Sequence, residues 1–425
     1  MNLKEKLQKI FNNDFKNILL IIFLMFSLFI LLYDVCESSI VGRSGWDSYE
    51  IQAASWLDGR LDVDYREYLE LANYKDKWYV SFPPLPSVIM FPFIMIFGDG
   101  NVPNNFIMFI LSTLCVILAY RILRKLNTSE TNSLLIAFGM VVGSNMLSMS
   151  MNGGVWFVAQ LFNMFFCLLA VYSLINNKRT LTYFFLALAV GCRPFSAIYL
   201  IATYLFFIFK DRKQGFFKSI IKSIPSLIPM LLVALCYMGL NTARFGNPVE
   251  FGHNYLPEFT RIEEGNYGQF SINYLWINLK ELISPRIDFD QKLNLSFKYP
   301  FCLFIANPLF IVCILDGIKK LIKNKRISFY RFLFVFAMLL NIIVLCMHKT
   351  LGGWQFGARY TCDLLPFVLF ILMIQNRATD TKLGKIISMD DNLNSVSLDR
   401  LQITCILFGI ILNCVGTIEF WRNML

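Results

Sequence analysis

The side chains best suited to chemistry in this chain are concentrated in one polar segment, residues 45–86, which interrupts an otherwise apolar sequence. Asp47 and Glu50 come first in it. The further carboxylates of the segment are Asp58, Asp62, Asp64, Glu67, Glu70 and Asp76. Carboxylates act as general acids and bases when they lie beside a reacting hydroxyl. The segment is therefore a candidate working loop of an enzyme, but composition does not choose among its carboxylates.

Two later polar segments supply further reactive side chains. Residues 241–300 include Arg244 and His253, and residues 348–363 include Arg359. The apolar runs between the polar segments contain few charges. Because transporters and proton pumps usually keep ionisable groups near the middle of the membrane, this scarcity argues against them. Chemistry at the membrane interface is the better expectation.

The composition is that of a polytopic helical membrane protein. The chain has 425 residues, of which 56% are hydrophobic and 16% aromatic, and its mean hydropathy is +0.55. Several apolar runs approach the roughly 20 residues that an α-helix needs to cross a bilayer. No polar segment is long enough to fold alone, so we expect a single transmembrane bundle over residues 1–425.

The formal net charge of +10 arises from lysine and arginine clusters that flank the apolar runs. These clusters are Lys4, Lys6 and Lys9; Arg121, Arg124 and Lys125; Lys178 and Arg179; and the basic residues of segments 210–222, 319–326 and 377–385. Such placement is typical of cytoplasmic loops and not of a groove for nucleic acid, so we expect no nucleic-acid partner. It also predicts a multi-pass protein of the plasma (inner) membrane with a cytoplasmic N-terminus.

Charge placement predicts about eleven spans. They cover residues 16–33, 106–123, 133–149, 155–175, two short spans within 181–209, and then 224–240, 301–318, 329–347, 364–374 and 401–420. The extracytoplasmic loops are then residues 34–100, 241–300 and 348–363, and the cytoplasmic link is residues 376–400. The polar segment with Asp47 is therefore placed on the outer side.

Two apolar runs do not fit a single ordinary span. Residues 85–97 are too short to cross the membrane and contain Pro86 and Pro92, so we expect a juxtamembrane helix there. Residues 181–209 are too long, and they contain Arg193 followed by proline. A charge in mid-membrane is costly and proline breaks a helix, so we expect two short spans that meet at Arg193 near the outer face.

Four short motifs resemble those of the GT-C superfamily. They are WDSY at 46–49, YVSFPPLP at 79–86, RFGNPVEFG at 244–252 and GWQFGARYTCDLLP at 353–366. The superfamily comprises polytopic glycosyltransferases such as the protein O-mannosyltransferases, the aminoarabinose transferases and the catalytic subunits of oligosaccharyltransferase. The resemblance implies an all-α polytopic fold in which the first outer loop is helical, juxtamembrane and catalytic.

The resemblance also implies an inverting transfer of a sugar from a polyprenyl-phosphate donor to an acceptor in the cell envelope. An acceptor hydroxyl is a weak nucleophile, so a carboxylate is needed to take its proton. The resemblance assigns this role to Asp47, and Glu50 and Asp34 are the second choices. The structural alternative for Asp47 is an N-cap of the helix that follows it. The acceptor stays open among glycans, lipids and proteins.

The donor phosphate requires cations, and the resemblance nominates Arg359, Arg193 and Arg244. A guanidinium offers two parallel donors to a phosphate. Each arginine also has a structural alternative, such as an interfacial position for Arg359. The substrate-lining candidates are Tyr49, Trp354, Tyr360 and His253. Aromatic rings stack on sugar faces, although membrane interfaces also collect tryptophan.

The sequence departs from one feature of the superfamily. Oligosaccharyltransferase-like members bind a divalent metal through acids in the next outer loop, which here is SMSMNGG at 148–154 and has no carboxylate. The eleven cysteines lie mainly in apolar runs and are expected to pack in the core. We therefore expect no obligatory metal cofactor, with Glu250 or Asp288 as substitute ligands if a divalent metal binds.

Two other functions stay open. One is a flippase or transporter of lipid-linked envelope precursors. The other is an O-antigen polymerase-like or ligase-like enzyme, which relies on arginines in a large late outer loop. The concentration of carboxylates in the first loop favours the glycosyltransferase over both.

Overall fold

The computed structural model describes residues 13–285, 287–289, 295–297, 301–324, 327–353, 355–374, 387–388 and 393–422, most of which are helical. The first half of the chain forms α1 (Asn13–Val35), α2 (Ser48–Leu57), β1 (Leu71–Tyr74), β2 (Lys77–Val80), α3 (Leu85–Phe97), α4 (Asn104–Lys125), α5 (Glu130–Val141), α6 (Met146–Ser150), α7 (Val155–Ile175), α8 (Arg179–Val190), α9 (Ala197–Asp211), α10 (Phe216–Ser223) and α11 (Ile228–Phe245).

The second half forms α12 (Pro257–Thr260), α13 (Leu275–Ile283), β3 (Ile287–Phe289), β4 (Leu295–Phe297), α14 (Leu303–Ala306), α15 (Leu309–Asn324), β5 (Ile327–Ser328), α16 (Phe329–Met347), α17 (Leu365–Met373), β6 (Ile387–Ser388) and α18 (Arg400–Arg422). Short 3-10 helices are Pro194–Ser196, Arg212–Gln214, Ile224–Leu227, His253–Tyr255, Ile272–Tyr274 and Arg359–Leu364. The strands pair as β1–β2, β3–β4 and β5–β6, so each sheet is a two-stranded ribbon.

One end of the bundle, called the basic end, joins the start of α1 to the end of α4. Tyr120 Oη and Arg124 Nε both donate to Asp14 Oδ1, at 2.8 and 2.7 Å. The segment before α18 reaches the same end, because Asn132 Nδ2 donates to the Val396 carbonyl at 3.3 Å. Arg124, from one of the basic clusters, therefore lies at the same end as the start of α1 and the segment before α18.

The opposite end, called the cavity end, gathers the first loop and the turns between later helices. The Val155 amide at the start of α7 donates to the Trp46 carbonyl at 2.8 Å, and the Leu85 amide at the start of α3 donates to the Gly191 carbonyl at 3.1 Å. Among the described residues, eleven helices correspond to the predicted spans, namely α1, α4, α5, α7, α8, α9, α11, α15, α16, α17 and α18. The charge placement predicts that they alternate between the two ends.

Within the described residues, seven helical segments have the length and hydropathy needed to cross a membrane unaided. They are α1, α4, α7, α16, α18 and the composite segments Pro194–Gln214 and Phe216–Phe245. The other passes, α5, α8, α15 and α17, are shorter. The predicted all-α polytopic fold is confirmed, while the number of spans stays a prediction.

The two exceptional apolar runs fold as predicted. Residues 181–209 divide at Arg193 between α8 and α9. Residues 85–97 form α3 with the expected bounds. This helix packs against α2, where Ser87 Oγ donates to Gln52 Oε1 at 2.8 Å. Together with the β1–β2 hairpin, α2 and α3 make the first loop a folded unit.

Two predicted spans differ from the observed helices. Residues 301–318 contain α14 and α15, which are separated at Pro308 because proline disfavours helical backbone in the residue before it and lacks an amide hydrogen. Residues 364–374 contain only α17, nine residues long. A helix of this length spans about 14 Å and does not cross a bilayer alone. Every residue of α17 is buried, so protein surrounds it in place of lipid.

A buried charge cluster closes the last turn of α17 at the basic end. Arg331 Nη2 donates to Asp316 Oδ2 and to the Ile374 carbonyl, each at 2.8 Å. Lys320 Nζ lies 2.8 Å from the same Asp316 oxygen and donates to the Ile374 carbonyl at 3.2 Å. Carbonyls at a helix end have no partner within the helix. The cluster satisfies them and so anchors α17 between α15 and α16.

Replacing Asp316 with asparagine is expected to destabilise the protein by about 3–5 kcal/mol, because the buried Arg331 and the partly buried Lys320 lose their anion. The matched control is Asp399→Asn, which breaks the half-exposed ion pair with Lys319 and should cost at most about 1 kcal/mol. Thermal unfolding in detergent, followed by tryptophan fluorescence, measures both changes. Equal unfolding temperatures for the two variants would show that the cluster does not anchor α17.

Candidate active site

Asp47 begins α2 but does not cap it with its side chain. Its carbonyl accepts from the Glu50 and Ile51 amides at 2.9 and 3.1 Å, as expected at a helix start. The carboxylate makes no capping hydrogen bond. Instead, Oδ2 accepts from Arg43 Nη2 at 3.2 Å, and Oδ1 is buried without a partner from another residue. The side-chain N-cap that was the structural alternative is therefore not formed.

Glu50 lies one turn further along α2 and shares the guanidinium of Arg43. Asn104 Nδ2 donates to Glu50 Oε1 at 2.7 Å, and Arg43 Nη2 lies 3.7 Å from Oε2. Burial raises the pKa of Glu50 to about 7, although the hydrogen bond from Asn104 lowers it in part. Burial also raises the pKa of Asp47, although the positive charge of Arg43 lowers it in part. Glu50 is thus placed to change its protonation near neutral pH, beside Asp47.

A cavity of about 740 Å³ at the start of α2, called the Asp47 chamber, gives Asp47 access to a substrate. It is lined by Arg43, Ser44, Gly45, Trp46, Asp47, Ile51, Arg66, Tyr68, Asp99 and Gly100. Two arginines and two aspartates balance each other, so the lining has no net formal charge. Such a chamber suits an uncharged polar group, such as a hydroxyl-bearing acceptor.

A second site, called the arginine chamber, consists of two adjoining cavities of about 250 and 150 Å³. Both cavities are lined by Phe82, Trp156, His253, His348, Arg359 and Tyr360. The larger one also includes Tyr49 and Arg193, and the smaller one reaches Glu70. Aromatic walls around a few convergent polar groups are typical of ligand sites.

Arg193, at the break between α8 and α9, is held by a buried carboxylate. Its Nε donates to Asp363 Oδ2 at 3.1 Å. Asp363 Oδ1 in turn accepts from Asn163 Nδ2 at 3.0 Å and from Gln160 Nε2 at 3.3 Å. The guanidinium carbon of Arg193 lies 4.3 Å from the centroid of the Tyr360 ring. Because Nη2 is buried without a partner, one donor of this oriented cation is unused.

Arg359 begins the 3-10 helix before α17 and lies close to two aromatic rings. Its guanidinium carbon is 5.5 Å from the centroid of Trp156 and 5.3 Å from that of Tyr360. Nη1 donates to the Gly353 carbonyl at 3.1 Å, whereas Nε has no partner. Gly352 has a φ of +95°, and a Cβ atom there would lie 2.8 Å from Arg359 Nε. Glycine at this position therefore permits the close approach of the guanidinium.

The two histidines form neutral walls of the arginine chamber. The pKa of His253 and that of His348 are each lowered to about 4, first by burial and then by nearby positive charge. His253 Nδ1 donates to the Ser81 carbonyl at 2.6 Å, which leaves Nε2 as an acceptor. The positive charge of this lining at neutral pH therefore comes from Arg193 and Arg359.

Two tryptophans separate the chambers. Trp46 lines the Asp47 chamber, Trp156 lines the arginine chamber, and their ring centroids are 5.3 Å apart. Trp156 Nε1 donates to Glu70 Oε2 at 3.1 Å, which fixes the indole at the chamber wall. The contact between Trp46 and Trp156 therefore lies between the Asp47 chamber and the arginine chamber.

Five of the residues nominated from the sequence come together in the arginine chamber, namely Tyr49, Arg193, His253, Arg359 and Tyr360. Asp47 lies in the adjoining chamber with Glu50 behind it. Trp354 lies outside the described residues.

Arg244 is placed apart from the other two arginines and lines neither chamber. It is buried at the end of α11, where its Nη1 donates to the Val80 carbonyl at 3.0 Å and its Nη2 to Asn241 Oδ1 at 2.9 Å. The side chain thus ties α11 to β2, and this packing role explains why it does not converge with Arg193 and Arg359 as predicted.

Several residues that shape the site belong to no recognised motif. Asn104 positions both Glu50 and the first loop, because its Oδ1 accepts from the Ser44 amide at 2.9 Å. Gln160 and Asn163 orient Asp363 from within α7. Polar side chains three positions apart in an apolar helix usually face a polar partner. The spacing of Gln160 and Asn163 could therefore have predicted a polar site beside α7.

Among the described residues, no three His, Cys, Asp or Glu side chains are grouped to hold a metal ion. Glu250, named as a substitute ligand, accepts from the Gly252 amide at 2.6 Å. The side chain of Asp288, the other substitute, lies outside the described part of the chain. Metal dependence stays a prediction.

Known proteins match parts of this sequence and of its fold. Residues 81–238 match the family described as dolichyl-phosphate-mannose-protein mannosyltransferase. Crystal structures of ArnT from Cupriavidus metallidurans, bound to undecaprenyl phosphate and in the apo state, are similar at 12% identity with TM-scores of 0.46 and 0.45. Each match covers 83% of this chain and 58% of ArnT. No curated protein matches the chain.

The apo oligosaccharyltransferase of Archaeoglobus fulgidus is similar at 13% identity and a TM-score of 0.45, over 82% of this chain and 50% of that one. This chain therefore spans little more than half the length of these structures. The family match is the sequence-level finding, and its range contains α3, Trp156 and Arg193. The match over residues 81–238, which is less than half of the chain, agrees with the resemblance of the sequence motifs to polytopic glycosyltransferases.

Proposed function

We propose that this chain is an inverting glycosyltransferase that moves a sugar from a polyprenyl-phosphate donor to an acceptor of the cell envelope. The observation that carries the proposal is the arginine chamber, where Arg193 and Arg359 each keep an unpaired donor beside aromatic walls. The description of the matched family includes dolichyl-phosphate mannose, a sugar on a polyprenyl phosphate, which supports the same donor class.

In this proposal the donor phosphate binds to Arg193 and Arg359. Protein contacts orient both guanidiniums before the substrate arrives, through Asp363 for the first and the Gly353 carbonyl for the second. Preorganised cations stabilise the negative charge that develops on the phosphate as its bond to the sugar breaks. Because the chamber histidines are neutral at pH 7, the two arginines provide this stabilisation.

The acceptor hydroxyl is activated in the Asp47 chamber. Asp47 takes the hydroxyl proton as the oxygen attacks the anomeric carbon on the face opposite the phosphate, and this attack inverts the centre. The two substrates must meet where the chambers adjoin. We therefore expect the sugar to contact Trp46 and Trp156, whose rings offer apolar faces for stacking.

The proposal includes an orientation in the plasma (inner) membrane. Cytoplasmic loops of membrane proteins carry an excess of lysine and arginine, and the basic end collects such residues, among them Arg124 and Lys319. The basic end and the N-terminus are therefore assigned to the cytoplasm. Both chambers then open on the outer side, where envelope acceptors lie.

Sugar transfer is expected to increase with pH and to level off above the pKa of Glu50, which is about 7. Ionised Glu50 adds a negative charge beside Asp47 and competes for Arg43, so Asp47 becomes a stronger base. Protonation of Glu50 removes this effect, and the rate falls as the pH falls. The measurement is kcat/KM from about pH 5 to about pH 9 at constant ionic strength. Glu50→Gln should lack the inflection, and an unchanged profile would exclude Glu50 as its source.

The experiment that tests the function separates transfer from transport. Purified protein in liposomes is supplied with a polyprenyl-phosphate sugar labelled in the sugar, together with an envelope extract as the source of acceptors. The proposal predicts that label leaves the polyprenyl-phosphate fraction and appears in a new covalent product. Label that changes leaflet but stays on the polyprenyl phosphate would identify a flippase instead.

A further inference from the structure

A third cavity, between α3, α4 and α7, is apolar throughout. Its volume is about 290 Å³, and every side chain that lines it is hydrophobic. Ile89 and Phe93 come from α3, Ile107 and Ile110 from α4, and Phe162 from α7. An apolar ligand is the natural occupant of such a space.

The loop between α3 and α4 joins this apolar cavity to the Asp47 chamber. Phe97 and Pro103, at the two ends of the loop, line the apolar cavity. Asp99 and Gly100, between them, line the Asp47 chamber. This loop, which turns at Gly98 with a φ of +81°, contributes to the lining of both spaces. A polar compartment with a base and an apolar groove therefore lie side by side.

The apolar cavity is open to the exposed surface of the bundle. Phe97 and Ile110, which line it, are 46% and 42% exposed, and the neighbouring Met95 and Ile96 are 66% and 73% exposed. In a membrane protein, apolar surface of this kind contacts lipid hydrocarbon. A hydrocarbon chain can therefore enter sideways from the bilayer without passing through water.

We propose that the acceptor is a membrane lipid, with its hydrocarbon chain in the apolar cavity and its hydroxyl-bearing headgroup in the Asp47 chamber. This inference rests on the proposed glycosyltransferase function and names the acceptor class. The headgroup hydroxyl gives its proton to Asp47, and its oxygen forms a bond to the anomeric carbon. The bond from that carbon to the donor phosphate oxygen breaks, and polyprenyl phosphate leaves with the electron pair.

We assign the cavity to the acceptor because one loop lines both this cavity and the Asp47 chamber. Phe97 in the apolar cavity and Asp99 in the Asp47 chamber are separated by one residue. The absence of net charge in the lining of the Asp47 chamber also suits a hydroxyl headgroup. A water-soluble protein or glycan acceptor would make no use of the groove.

The test follows the label from a polyprenyl-phosphate sugar into products in membrane vesicles. Products are divided into organic-extractable lipid, precipitated protein and water-soluble glycan. Ile110→Trp fills the groove, and Ile201→Trp is the matched control on the lipid-exposed side of α9. We expect the label in the lipid fraction, and Ile110→Trp should lower this product about tenfold by displacing about two methylene groups. Ile201→Trp should retain it.

The outcomes separate this inference from the function on which it rests. Label in protein or in water-soluble glycan would overturn the lipid acceptor and leave the glycosyltransferase standing. No transfer by the wild-type protein would overturn both. A lipid product made equally well by Ile110→Trp and the wild-type protein would overturn the assignment of the groove.

A second measurement uses the wild-type protein and so does not depend on the folding of a variant. The protein is reconstituted with phosphatidylglycerol that carries a diazirine in its acyl chain, irradiated and digested. We expect cross-linked peptides from residues 89–97 and 106–114, around the cavity. Cross-links confined to other helices would overturn the proposed position of the chain.

Discussion

Replacement of Asp47 by asparagine is expected to lower sugar transfer by about 10²–10⁴-fold, which is the usual contribution of a positioned general base. Asparagine keeps the shape of the side chain and its place beside Arg43, but it does not accept a proton from the acceptor hydroxyl. The measurement is the initial rate of transfer from a labelled polyprenyl-phosphate sugar, in membranes that contain equal amounts of folded protein.

The matched control for this substitution is Asp76→Asn. Asp76 is an exposed carboxylate of the same loop, at the turn between β1 and β2, and its φ of +59° is one that asparagine tolerates well. This variant should transfer sugar at the wild-type rate. Full activity in Asp47→Asn, or an equal loss in both variants, would remove Asp47 from the role of base.

Removal of the Arg359 guanidinium has the second largest expected effect. Arg359→Ala should lower kcat/KM by about 10²–10³-fold, because a preorganised cation no longer stabilises the leaving phosphate. Arg359→Lys should recover only part of the loss, since an ammonium group lacks the two parallel donors of a guanidinium. The measurement is kcat/KM for the labelled donor, together with the unfolding temperature of each variant.

Stability distinguishes a binding role for Arg359 from a packing role. The guanidinium makes one hydrogen bond, to the Gly353 carbonyl, and its loss should cost only about 1 kcal/mol. Arg60→Ala is the control, because Arg60 forms an exposed ion pair with Asp64 at the surface of the first loop. If protein level and activity fell together in Arg359→Ala, the arginine would be structural.

Local features of the site were predictable from the sequence because they depend on residues close together in the chain. Proline and a central charge located the break at Arg193, and a short apolar run with two prolines located α3. The choice of Asp47 among many loop carboxylates came from the motif at 46–49. Its missing cap hydrogen bond and its chamber became visible only in the folded structure.

Contacts between distant segments were not predictable in the same way. The ion pair between Arg193 and Asp363 joins residues 170 positions apart, and the contact between Trp46 and Trp156 joins the first loop to the start of α7. Helical periodicity shows which face of a helix is apolar, but it does not show which helix packs against it. The helix α17 is buried on every side. Its sequence is therefore apolar all round and does not indicate which neighbours it packs against.

The proposed chemistry depends most on a polyprenyl phosphate bound in the arginine chamber. Native mass spectrometry of the protein extracted gently from membranes, before and after addition of undecaprenyl phosphate, measures this directly. We predict that the wild-type protein and Arg60→Ala retain one polyprenyl phosphate and that Arg359→Ala, at the same protein concentration, loses it. A wild-type protein that retains no polyprenyl phosphate even with excess lipid, or equal retention by Arg359→Ala, would contradict the proposed donor site.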